Sequence, residues 1–193
     1  MATLKPPPRP SNLIDILDAQ ERRNFHGRVW RAVRKGYDVL RGARTGGRWD
    51  DGTFDVLYCS MTKDGAIAER HFHLSKGQPV VPSRPTYQVY EVEVSLMQML
   101  DLSNFEILKK MGINANRFGA LSYVDRIQEY PSTQQISEIA HFLEFDGILV
   151  PNARWNCSNL VIFSEQIRPE AISVIGMPDP INWTSWISWN KNS

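Results

Sequence analysis

A chain of 193 residues with 42% hydrophobic and 22% charged side chains has the length and balance of one folded domain with a sizeable core. This excludes a disordered chain, and no apolar run approaches the roughly 20 residues that span a bilayer. Net charge is +1, but residues 22–48 hold nine basic side chains against Asp38, so that stretch is +8 and the remainder −7. The N-terminal segment Met1-Ala2-Thr3-Leu4-Lys5-Pro6-Pro7-Pro8 has no hydrophobic stretch and reads as an extended, Pro-rich arm over residues 1–10 rather than a secretory signal. Two cysteines, Cys59 and Cys157, make no disulfide framework, and a reducing cytoplasmic setting is expected.

Taken in order, Ser11 is placed to cap a helix reaching about Arg23, with Leu13, Ile14 and Leu17 inward. Arg28 to Val33 reads as a strand that sets Arg31 among apolar neighbours, where a guanidinium needs partners or a cleft. Residues 34–55, with five glycines and little periodicity, predict a long functional loop. Val56 to Ser60 is a short strand. Thr62 then caps a helix over 63–75. Tyr87 to Val94 alternates as a half-exposed strand, Tyr90, Val92 and Val94 on one face. Capping boxes at Ser103–Glu106 and Ser132–Gln135 open two further helices, the second carrying Ile136, Ile139, Ala140 and Leu143. Gly147 is the expected helix stop. Strands follow at Ile148–Val150, Asn159–Phe163 and Ile172–Ile175. Residues 178–193 form a tail whose Trp183, Trp186 and Trp189 recur every third residue and suggest a helical turn docking on the body. The fold class is α+β: one domain over 11–177 with a small mixed β-sheet core flanked by helices.

Neither a G-x-G-x-x-G turn nor a P-loop is present. His71 and His73 are two apart on a helix and point away from each other, so no metal site is expected there. Attention falls on Glu69, at the edge of the buried side of its helix, and on Gly46-Gly47-Arg48-Trp49 upstream. The glycines permit a tight turn or a close approach to a ligand; Arg48 and Trp49 offer a charge and a stacking surface.

These pieces carry a family resemblance. Trp30-Arg31 precedes a glycine-rich loop. Gly47-Arg48-Trp49, Leu57-Tyr58-Cys59-Ser60, Ala66-Ile67-Ala68-Glu69, and Gly147-Ile148-Leu149-Val150-Pro151 running into Asn159-Leu160-Val161-Ile162-Phe163 follow in order. The chain thereby resembles the RES domain family, bacterial toxins encoded beside an Xre-type antitoxin. The resemblance implies a fold akin to the ADP-ribosyltransferases. It implies NAD⁺ as the substrate, cut at the nicotinamide–ribose bond with water or inorganic phosphate as acceptor and no tightly bound cofactor. It also implies an antitoxin partner; no membrane is expected from the lack of a long apolar run, and a nucleic-acid partner is disfavoured because the basic stretch lacks a recognisable reading motif. On this reading Glu69 steadies the cationic ribose. Arg31 and Arg48 grip phosphate, Tyr58 and Trp49 face the nicotinamide end, and Asn152 stands where the family's serine is expected, with Ser158 six residues on as a substitute. Two other readings stay open: an Arg-rich nucleic-acid-binding module, and an inactive RES-like interaction protein docking through its Trp-rich tail.

Overall fold

The computed structural model describes residues 8–75, 86–115, 118 and 123–190. Most of the expected N-terminal arm and the Trp189 side chain lie outside them; Pro10, just before the first helix, is extended. Helices α1 (Ser11–Asp18), α2 (Lys63–Ser75), α3 (Phe105–Lys110), α4 (Tyr123–Phe142) and α5 (Trp183–Asn190) accompany strands β1 (Arg22–Arg34), β2 (Val56–Ser60), β3 (Tyr87–Asp101), β4 (Gly147–Pro151), β5 (Ser158–Phe163) and β6 (Ile172–Pro180). No described helix is long and apolar enough to cross a membrane.

The six strands run β1-β2-β5-β4-β3-β6, and β1 also pairs along β3, so five strands close on themselves with β6 added outside. All pairings are antiparallel except β3 with β4. That parallel pair needs a crossover, and α3 and α4 supply it. The apolar runs of β2, β4 and β5 follow from burial on both faces. Val56, Ile148, Val150, Val161 and Phe163 meet α1, α3 and α4 in the main core; Leu57, Cys59, Leu160 and Ile162 turn the other way, onto Val29 and Val92. A smaller cluster, Ala32, Ala66, Ile67 and Val89, lies between α2 and the β1–β3 pair, with Trp30, Trp183 and Trp186 against it.

Several expectations are corrected here. The first helix stops at Asp18, and its N-terminus carries no side-chain cap from Ser11, because Pro10 occupies the cap position. Residues 22–27 join β1 instead, paired with β3 from Arg22 opposite Leu100 onward; cross-strand pairing overrides weak local preference. Pairing with β1 and, at its end, with β4 carries β3 on to Asp101. Asn104, not Ser103, caps α3 by accepting from the Glu106 N–H at 2.8 Å, while the Ser103 hydroxyl turns back to Asp101. The helix placed at Ser132 begins nine residues earlier, at Tyr123, and passes through Pro131. Thr133, within the expected capping box, is buried and donates to the Arg48 carbonyl at 2.5 Å. The chain leaves α4 through Glu144, which takes a left-handed conformation (φ 62°). Gly147 is a strand residue paired with Ile162 of β5, and glycine suits it because a Cβ there would lie 2.6 Å from the Val161 carbonyl.

Candidate active site

Strands β1 and β2 meet at Trp30 opposite Ser60, and a cavity of about 560 Å³ opens beside that pair. The size falls within the roughly 300–1,000 Å³ usual for small-molecule sites. β1 contributes Arg31, the 35–55 loop Arg48, α2 Glu69 and Arg70, and the loop after β4 Arg154. Four guanidinium groups therefore surround one carboxylate among the described lining residues. The distribution suits a ligand with several negative charges and one centre of positive charge.

Glu69 owes its place to α2. Thr62 caps that helix by accepting from the Gly65 N–H at 3.1 Å, and glycine is needed at 65: a Cβ would sit 2.3 Å from the Ser60 hydroxyl and 2.6 Å from the Cys157 sulfur. The tight seat presses the first turn of α2 on β2 and directs its second turn, with Glu69, at the cavity. Burial pushes the Glu69 carboxyl above its usual range. The neighbouring Arg154, the Asn159 amide, the Ala153 backbone N–H and Arg48 pull the other way. The Asn159 contact is long, 3.4 Å, so the carboxylate is steadied rather than saturated.

Arg48 is held in place by its surroundings. Its guanidinium lies 4.0 Å from the Phe118 ring centre and 5.2 Å from that of Tyr130, its carbonyl accepts from Thr133, and little of it is exposed. The glycine turn before it winds around Asp50. That fully buried carboxylate accepts from the backbone N–H groups of Gly46, Gly47 and Gly52 at 2.8–3.0 Å. Gly46 adopts φ 69°, and a Cβ on Gly47 would strike the Tyr58 hydroxyl at 2.6 Å. Gln134 of α4 clamps the turn from outside by donating to the Gly47 and Asp50 carbonyls.

Arg31 lines the cavity, yet its Nη1 also donates to the carbonyls of Val39 and of Arg41, the latter at 3.0 Å; burial lowers its pKa. It therefore organises the loop as well as facing the cleft. Tyr58 lines the cavity too, but its hydroxyl accepts from the Trp49 N–H at 3.0 Å and lies 3.3 Å from Asp50. Burial beside Asp50 keeps the phenol well above its ordinary pKa, so it stays a donor.

Trp49 corrects the sequence reading. It borders the cavity, but its indole is packed in the core in an edge contact with Phe118, 6.3 Å between ring centres, and only 2% of it is exposed, which leaves little area for stacking a ligand. Asn152 and Ser158 do not line the cavity. Asn152 stands one residue behind it, its Oδ1 accepting from the Arg154 and Trp155 N–H groups and its amide donating to Asn159 at 2.8 Å. Ser158 opens β5, its carbonyl accepting from the Met61 N–H at 2.9 Å. His71 and His73 do diverge: His73 lines the cavity, whereas the His71 ring packs at a tilt against Trp183 and Trp186.

Arg70, Arg154 and Asn159 were not singled out from sequence. Arg70 follows Glu69 and donates to the Ala32 carbonyl at 3.1 Å. Arg154 lies with its guanidinium carbon 3.5 Å from the Phe72 ring centre. The one signal for Asn159 was an amide side chain opening an otherwise apolar strand. The basic stretch 22–48 is divided between cavity and surface: Arg23 pairs with Asp101, Arg28 with Glu91, and Arg44 with Asp55 and Glu165.

The model of the RES domain matches residues 28–184, a span that contains every residue of the cavity. The chain belongs to the RES domain family. No curated protein matches it. Its fold is similar to that of a chain in the crystal structure of the M. tuberculosis MbcT–MbcA toxin–antitoxin complex, with a TM-score of 0.76 and 19% identity over 93% of this chain and 97% of that one. At that identity the likeness concerns architecture, and it extends over nearly the whole of this RES protein.

Proposed function

We propose that this RES protein destroys NAD⁺ by breaking the nicotinamide–ribose bond, and that it is the toxin of a toxin–antitoxin pair. Family membership and the architecture shared with a toxin–antitoxin complex support the second part. The first rests on one observation above all: a half-buried carboxylate, Glu69, faces a cavity whose other charged walls are arginines.

The chemistry follows from those charges. Nicotinamide is already a cationic leaving group, so the C–N bond breaks with its electron pair passing to the pyridine nitrogen, and no acid is required. The ribose left behind carries oxocarbenium character, which an ionised Glu69 stabilises while accepting the 2′-hydroxyl. Arg31, Arg48, Arg70 and Arg154 supply the counter-charge for the diphosphate. With water as acceptor, its oxygen bonds to the anomeric carbon and its proton passes to Glu69, giving ADP-ribose. With inorganic phosphate, a phosphate oxygen forms the bond and ADP-ribose-1″-phosphate results. Asn152 acts through Asn159, holding the amide that touches Glu69. An Xre-type antitoxin would silence the protein by covering the cavity mouth.

The test is to incubate purified protein with NAD⁺, with and without phosphate, and separate the products by chromatography. Nicotinamide is expected in equal amount to the NAD⁺ lost, and the second product names the acceptor. Intact NAD⁺ in both conditions would refute the reading.

A further inference from the structure

The C-terminal helix lies outside the cavity, yet its contacts converge on both pieces of chain that hold Glu69. Asn182 caps α5 by accepting from the Ser185 N–H at 3.1 Å, and the Ile181 N–H is anchored on the Tyr87 carbonyl at 2.9 Å. Lys63, first residue of α2, reaches Asp179 at 2.6 Å. The helix is thus fixed at its start, and Trp183 and Trp186 lie on the cluster of Ala32, Ala66, Ile67 and Val89.

Trp186 makes two further contacts. Its indole N–H donates to the Asp64 carboxylate at 3.1 Å, in the first turn of the helix that carries Glu69. Its ring lies 6.0 Å from that of Trp155, tilted by 40°. Trp155 adjoins Arg154, and the backbone N–H groups of both are gathered by Asn152 Oδ1 at 2.7 and 3.0 Å. The same turn supplies Glu69 with the Ala153 N–H and the Arg154 charge. One indole therefore touches α2 five residues before the carboxylate and the loop one residue after its cationic neighbour.

We propose that α5 is a positioning element of the NAD⁺-cleaving site, with Trp186 pinning the first turn of α2 to the 152–157 loop and so fixing Glu69 against Arg154 and the Ala153 N–H. The proposal rests on the function read above for Glu69. It assigns the Trp-rich tail a task inside the molecule. Cover for the small apolar cluster would need aromatic area alone; it would not need an indole N–H aimed at Asp64 or a second indole on the loop.

The test compares Trp186→Ala and Trp186→Phe with the parent by nicotinamide-release kinetics, thermal melting and ¹³C NMR titration of the Glu69 carboxyl. The groups facing that carboxyl are Arg154, Asn159, the Ala153 N–H and Arg48, with Arg31, Arg70 and His73 on the same cavity wall; Asp64 and His71 flank the indole. Trp186→Ala is expected to lower kcat about 10- to 100-fold, the scale of a misplaced reacting group, with KM little changed. Glu69 should titrate at higher pH, since the loop no longer holds its anion. Trp186→Phe, which keeps a ring against Trp155 but loses the N–H, should fall between. A folded Trp186→Ala with parental kcat and parental Glu69 titration overturns the proposal. So does an activity loss that tracks the unfolded fraction while the titration stays in place. If the parent itself spares NAD⁺, the functional reading fails separately, and the Glu69 titration alone decides whether the clamp exists.

Discussion

Two carboxylates serve the cavity, Glu69 lining it and Asp50 buried in the turn that carries Arg48, and they do opposite things. Asp50 is fully buried and saturated: three backbone N–H groups of its own turn and the Tyr58 hydroxyl of β2 surround it. Glu69 has a long contact to Asn159, a backbone N–H and the charges of Arg154 and Arg48, and it faces the cavity. A saturated carboxylate organises a loop; an incompletely satisfied one keeps binding capacity for a ligand. The difference lies in how many fixed donors the fold spends on each.

Exchange of the two acids for neutral side chains is the strongest way to break that comparison. Glu69→Gln should reduce nicotinamide release by about 10²–10³-fold, the scale of one lost transition-state contact, with no loss of thermal stability. Asp50→Ala leaves three N–H groups and the Tyr58 O–H without their acceptor and should cost about 3 kcal/mol or more in denaturant unfolding. If Asp50→Ala left stability intact, or Glu69→Gln unfolded the chain, the roles would be reversed.

The pH dependence sharpens the contrast further. Glu69 titrates above its usual range in the fold, so the folded state binds more protons than the unfolded one between the ordinary glutamate pKa and that raised value. Its contribution to stability is therefore fully present below this window and declines as pH rises through it. Activity, which needs the anion, moves the other way and is lost as pH falls through the same window. Parallel melting and nicotinamide-release profiles should cross in this sense, and Glu69→Gln should abolish its share of the melting slope. The smallest effect belongs to Tyr58→Phe. Losing the hydroxyl that bridges Trp49 and Asp50 should lower stability by about 1–2 kcal/mol in urea titration and spare most of the activity.

What the sequence revealed follows distance along the chain. The β2–α2 segment was legible almost residue by residue: a short apolar strand, the Thr62 cap and a helix ending at Ser75 are all encoded locally, and Glu69 rides on them. The partners of Glu69 were not legible. Arg154 and Asn159 stand some ninety residues on and reach it through the β2–β5 pairing, which no local pattern records. Trp49 misled for a related reason. An indole beside an arginine looks like a ligand platform until it is seen to be buried in the core against Phe118. The lengths of β1 and β3 were underestimated because polar residues such as Arg22, Arg23 and Ser95 enter the ladder through pairing rather than through alternation of their own.

The most direct measurement is a crystal structure of Glu69→Gln with NAD⁺ bound in the cavity. The account predicts the nicotinamide ribose in contact with residue 69 and the diphosphate against the guanidinium groups of Arg31, Arg48, Arg70 and Arg154. A dinucleotide bound elsewhere, or one whose ribose faces away from residue 69, would contradict it.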